Sequence, residues 1–109
     1  MSFLTSRKYE RRPYVKPLRY YLTTLHMDKL KVKETDCEGV SVDISKGGLG
    51  MITQYPLKEG DILFFKDEIK VNNLIAASGI VKWVKGLEYD RYRVGVMFRM
   101  VRLHTGDTL

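Results

Sequence analysis

Cysteine, histidine and long apolar runs are scarce in this 109-residue chain, and each scarcity closes off a class of function. The single cysteine, Cys37, has no partner for an internal disulfide, so a reducing, cytoplasmic setting is expected. The two histidines, His26 and His104, stand far apart and neither has ligand spacing to Cys37. No metal site and no resident cofactor are therefore expected. Two isolated histidines also leave no Ser–His–Asp or Cys–His grouping to argue, so no catalytic residue is nominated and an enzyme is not expected. The longest apolar runs are only a few residues, such as Leu74–Ala77. A membrane-spanning helix needs about 20. Residues Met1–Arg7 lack a cationic leader followed by an apolar stretch, so no signal peptide is expected. Acid is short at the start: residues 1–20 hold Glu10 against six lysines and arginines.

That imbalance places most of the net charge of +6 at the two ends of the chain, with residues 40–90 nearly neutral. A basic terminal segment attracts phosphates by Coulomb steering, although a solvated tail carries the same charge for no purpose. The length fits one domain, and 44% hydrophobic with 29% charged residues is ordinary for a globular one. Most apolar residues recur with period 2 and are broken by glycine, which predicts an all-β fold. Strands are expected at Leu18–Leu25, Gly39–Ser45, Leu49–Thr53, Ile62–Lys66, Leu74–Lys85 and Tyr92–Phe98. Six short strands at near-regular spacing predict a small closed antiparallel barrel, which leaves no exposed edge. Residues 1–17, with Pro13 and Pro17 among the charges, read as a flexible basic lead-in, and 18–109 as the barrel domain. Residues 99–109 are expected to form a short helix or tail, with Met100, Val101 and Leu103 as its apolar side.

Two motifs carry the chemistry. In Asp43-Ile44-Ser45-Lys46-Gly47-Gly48, period 2 puts Asp43 and Ser45 on the face opposite Val42 and Ile44. An acid and a hydroxyl then project together beside Gly47 and Gly48, which let a ligand approach the backbone. The plainer reading is a tight β-turn. In Arg7-Lys8-Tyr9-Glu10-Arg11, two arginines stand four residues apart. A guanidinium matches phosphate oxygens and the O6/N7 edge of guanine in bidentate fashion, and it stacks on purines. A random basic tail often contains such a pair. Trp83, Tyr9 and Tyr14 are each read as wall packing or as a stacking surface for a base.

Taken in order, Arg7-x-x-x-Arg11 and then Asp43-x-Ser45-x-x-Gly48 resemble the PilZ domain family. The resemblance extends through Val15–Tyr20, Gly79–Val84 and Tyr92–Phe98, covering roughly residues 6–100. It implies a six-stranded barrel that receives the bacterial second messenger cyclic di-GMP, with Arg7 and Arg11 holding phosphate and guanine groups. Asp43, Ser45, Gly47 and Gly48 would receive the guanine at the barrel surface. Ser6 stands where some family members carry a further arginine that holds an intercalated ligand dimer. Arg12 is the candidate to take its place, and the ligand stoichiometry stays open. Charge-assisted hydrogen bonds contribute roughly 1.5–3 kcal/mol each, and micromolar affinity needs about 8 kcal/mol. The expected function is that of a receptor or adaptor domain, changing shape on binding to signal to an unidentified downstream protein. Two rivals remain: a single-stranded nucleic-acid-binding barrel, and a PilZ-like interaction module that takes no nucleotide. The first lacks the aromatic-rich strand of RNA-recognition modules.

Overall fold

A computed structural model describes residues 10–26 and 31–103. Six strands follow one another: β1 (Arg12–His26), β2 (Lys31–Ile44), β3 (Gly48–Thr53), β4 (Ile62–Val71), β5 (Leu74–Leu87) and β6 (Arg91–Leu103). They pair antiparallel throughout and close in the order β1-β2-β3-β6-β5-β4. The expected barrel is there. Its interior takes one residue in two from each strand: Leu18, Tyr20 and Leu22 from β1, Leu49 and Met51 from β3, Val94, Val96 and Phe98 from β6. Ile44, Leu63 and Val81, each fully shielded from solvent, complete the centre.

The closure is uneven. β1 and β2 share thirteen paired positions, whereas β1 meets β4 at only two, Tyr20 with Phe65 and Tyr21 with Phe64. Where that ladder stops, β4 breaks register between Phe64 and Ile69, and the charged residues at the break reach outward to neighbours. Lys66 pairs with Asp36 of β2, Asp67 with Arg19 of β1, and Glu68 with Arg102 of β6. Such exposed pairs contribute only about 0.2–1 kcal/mol each. The pairs to Arg19 and Asp36 clasp the β1–β4 seam that the backbone leaves open.

Three expectations are corrected. β1 starts at Arg12, so the lead-in loses its last six residues to the barrel. Pro13 and Pro17 are tolerated because this half of β1 pairs with β2 alone, leaving the other side of the strand without a ladder to disrupt. β6 runs on to Leu103, so a strand occupies the start of the expected helix. Three apolar residues are too few to separate a helical period from alternation, and Leu74–Ala76 of β5 supplies the partner strand. β2 begins at Lys31, well before Gly39. Residues Lys31–Glu38 are too polar to announce a strand, but β1 pairs with them residue for residue.

Tyr20 ties the core together. Its phenol is fully buried and shares a 2.7 Å hydrogen bond with Thr53 Oγ1, which in turn donates to the Glu38 carbonyl. Burial pushes the Tyr20 phenol far above its ordinary 10.0, with the Thr53 hydrogen bond opposing in part. Because the folded state holds this proton more tightly, the stability it contributes is complete below the unfolded value. It is lost as pH rises toward the folded one. Urea unfolding between about pH 9 and about pH 11 should show falling stability, and Tyr20→Phe should flatten that fall. An unchanged slope in Tyr20→Phe would contradict the assignment.

Candidate functional site

Four strands contribute to one outward-facing cleft of about 500 Å³, within the range of small-ligand sites. Across it, Asp43 of β2 pairs with Gly50 of β3, Gly50 with Gly95 of β6, and Gly95 with Trp83 of β5. A carboxylate and an indole thus stand at the ends of a row roughly 14 Å long, three strand spacings of about 4.8 Å. The two positions between them have no side chain. A side chain at either would displace its neighbour: a Cβ on Gly50 would lie 2.8 Å from Asp43 Oδ1, and a Cβ on Gly95 would collide with Trp83 Nε1.

Bulges flank the row on both sides. In β2 the register slips between Ser41 and Asp43, inserting Val42; in β5 it slips between Val81 and Trp83, inserting Lys82. A bulge adds one residue and re-aims its neighbours, a device common beside binding sites. Here the insertions let Ser41 and Ile44 both face the core while Asp43 faces out, and let Lys82 and Trp83 both line the cleft. A third slip, between Pro13 and Lys16 of β1, is held by the buried Ser41 hydroxyl. Ser41 Oγ donates to the Tyr14 carbonyl at 2.7 Å and accepts from Lys16 N–H at 3.2 Å. That fixes the start of β1 against β2, with Arg11 immediately before it.

Arg11 lands on Asp43. Its Nη2 and Nε donate to Asp43 Oδ1 at 2.6 Å and 3.2 Å, and the same oxygen accepts Gly50 N–H at 3.0 Å. Arg93 of β6 donates to Asp43 Oδ2 at 3.4 Å, with its side chain crossing β3. Arg11, Lys82 and Arg93 line the cleft with Asp43, three cations to one carboxylate, an excess suited to anionic oxygen ligands.

The other expected residues fall differently. Ser45 lines the cleft together with Asp43, but from the turn rather than from the strand. It sits 5% exposed in the turn after β2, where its hydroxyl accepts Gly47 N–H at 3.2 Å while its own N–H donates to the Gly48 carbonyl at 2.8 Å. Its role in the free protein is to shape the turn, because the strand ends at Ile44 and alternation stops with it. Gly47 and Gly48 line the cleft as expected. Gly48 is required for close packing, since a Cβ would strike the Val96 carbonyl oxygen. Arg12 opens β1, paired with Ile44, is exposed, and is not among the residues lining the cleft. Arg7 and Tyr9 lie outside the described residues. Tyr14 packs against the core with Lys16 over its ring.

Arg93, Lys82 and Gly50 were not foreseen, and Trp83 was left between two roles. Arg93 shares the outward phase of Gly95, a legible signal once Val94 and Val96 are taken as core. Lys82 depends on a bulge that no residue pattern announces. Among the described residues, no helix is long and apolar enough to cross a membrane.

A surface cleft on a barrel wall, cationic and floored by glycine, is the mark of a binding domain. The sequence model of the PilZ domain matches residues 5–109, and the chain belongs to that family, whose members are cyclic di-GMP receptor domains and binding or adaptor domains rather than enzymes. No curated protein matches the sequence.

The glycine floor generates a prediction that the single tryptophan reports directly. Gly95→Ala should leave the barrel folded, because an indole can swing aside, but should push Trp83 off the wall into water. Its fluorescence emission should shift to the red. Emission that matches the parent protein would show that the indole does not rest on Gly95.

Proposed function

We propose that this domain binds cyclic di-GMP in the cleft, with Asp43 reading the guanine edge and Arg7 and Arg11 holding phosphate. The observation that carries this reading is the meeting of the two family motifs: Arg11 reaches Asp43 at 2.6 Å over the bare backbone of Gly50. Two phosphodiesters bring two negative charges to a site where three cations face one carboxylate. Trp83, at 47% exposed, offers an open aromatic face at the far end of the row for a base to stack on.

The same contact implies an exchange. A carboxylate has about four lone-pair positions. Asp43 Oδ1 accepts three N–H groups and Oδ2 one more, so guanine N1–H and N2–H₂ reach the carboxylate only when Arg11 leaves it. Released, Arg11 swings to a phosphate and binding redraws the start of β1. That movement is the signal offered to a downstream partner protein.

Titration calorimetry with cyclic di-GMP, against GTP and cyclic di-AMP, tests the reading. Affinity should be micromolar or tighter for cyclic di-GMP alone, and Arg7→Ala or Arg11→Ala should each weaken it at least about tenfold, or about 1.4 kcal/mol. Equal affinity for cyclic di-AMP would contradict the role of Asp43. Binding of single-stranded nucleic acid with steep salt dependence and no preference for guanine would favour the nucleic-acid reading instead.

A further inference from the structure

Arg93 stands outside both motifs, yet it is built into the site. Its guanidinium carries five N–H donors. Among the described residues its side chain makes one hydrogen bond, the 3.4 Å contact to Asp43 Oδ2, and its Nε–H is buried without a partner. The Nε–H faces inward, but the side chain is 39% exposed in the cleft lining, so the guanidinium tip has further N–H groups for an acceptor that arrives from outside. The side chain is held there by geometry: β6 lies beyond β3 from β2, and Arg93 reaches across β3 to the β2 carboxylate.

We infer that Arg93 is a specificity-determining residue that donates to guanine O6, completing with Asp43 a reader of the whole Watson–Crick edge. This rests on the proposed cyclic di-GMP site. The guanine edge presents, in order, the O6 acceptor, the N1–H donor and the N2–H₂ donor. A guanidinium N–H beside a carboxylate presents the complement: donor, acceptor, acceptor. Adenine has an amino donor where O6 would be, so its N6–H would face Arg93 N–H and leave both without a partner. A mismatch of this kind costs more than the absence of a contact, because each buried donor stays desolvated and unpaired. Arg11 does not substitute. It must leave Asp43 before the base can enter, whereas Arg93 contacts the other carboxylate oxygen and comes from a strand inside the barrel.

The test titrates the full chain and Arg93→Ala with three dinucleotides: cyclic di-GMP, cyclic di-IMP and cyclic di-AMP, the weakest followed by NMR shifts. Cyclic di-IMP keeps O6 and N1–H but lacks the N2 amino group, so the ratio between it and cyclic di-GMP reports Asp43 alone. Arg93→Ala should weaken cyclic di-GMP and cyclic di-IMP by the same factor, about tenfold. Cyclic di-AMP, with identical phosphates, should bind no more weakly than before. Equal loss for all three would assign Arg93 to phosphate and overturn the inference. Collapse of the ratio between cyclic di-GMP and cyclic di-IMP would reduce Arg93 to a residue that orients Asp43, and would overturn it too. Arg93→Met, which keeps the apolar stem over β3, repeats the test if the alanine variant does not fold. If the parent chain does not bind cyclic di-GMP, the site reading itself fails.

Discussion

Everything at the cleft depends on where the Asp43 carboxylate is held. The inserted Val42 disrupts the β2–β3 ladder, and there Gly50 N–H donates to Asp43 Oδ1. The carboxylate therefore belongs to the sheet as much as to the site. It cannot swing away without leaving a backbone donor unpaired, a cost of roughly 1–3 kcal/mol. A side chain pinned in this way offers its remaining lone pairs in fixed directions. That is the condition for reading a base by hydrogen bonds.

The two glycines between Asp43 and Trp83 turn the pinned carboxylate into part of a surface. On an ordinary barrel wall, side chains at Gly50 and Gly95 would fill the row. Their absence leaves the Asp43 carboxylate against Gly50 and lays the indole against Gly95, while Arg11 and Arg93 each take one carboxylate oxygen. The buried hydroxyls serve the same end at a distance. Ser41 locks the slip in β1 that precedes the motif, and Ser45 closes the turn that follows it. The first half of β1, directly after Arg11, pairs with β2 alone, so a single ladder resists a shift there when Arg11 moves.

Much of this was legible in the residues, and the misses have physical causes. The alternation of Val94, Val96 and Phe98 fixes β6 in phase, and Asp43 faces out because Ile44 must face in. Alternation fails at bulges, which add a residue without changing composition; Lys82 was hidden for that reason, and Val42 was expected to oppose Asp43. Ser45 lies in the cleft lining, but in the turn, because a period-2 argument cannot see that the strand ends one residue earlier. Lys31–Glu38 and Arg99–Leu103 were missed as strands because pairing, not hydrophobicity, holds them. Arg93 carried a readable phase, but no motif drew attention to it.

The account turns on one exchange at one carboxylate: Arg11 leaves Asp43 and guanine replaces it. A crystal structure of the domain with cyclic di-GMP tests this directly. The account predicts a guanine edge on Asp43 and Arg93, with the Arg11 guanidinium moved from Asp43 Oδ1 to a phosphate. A complex in which the Arg11–Asp43 pair survives intact while the dinucleotide lies elsewhere on the barrel would contradict it.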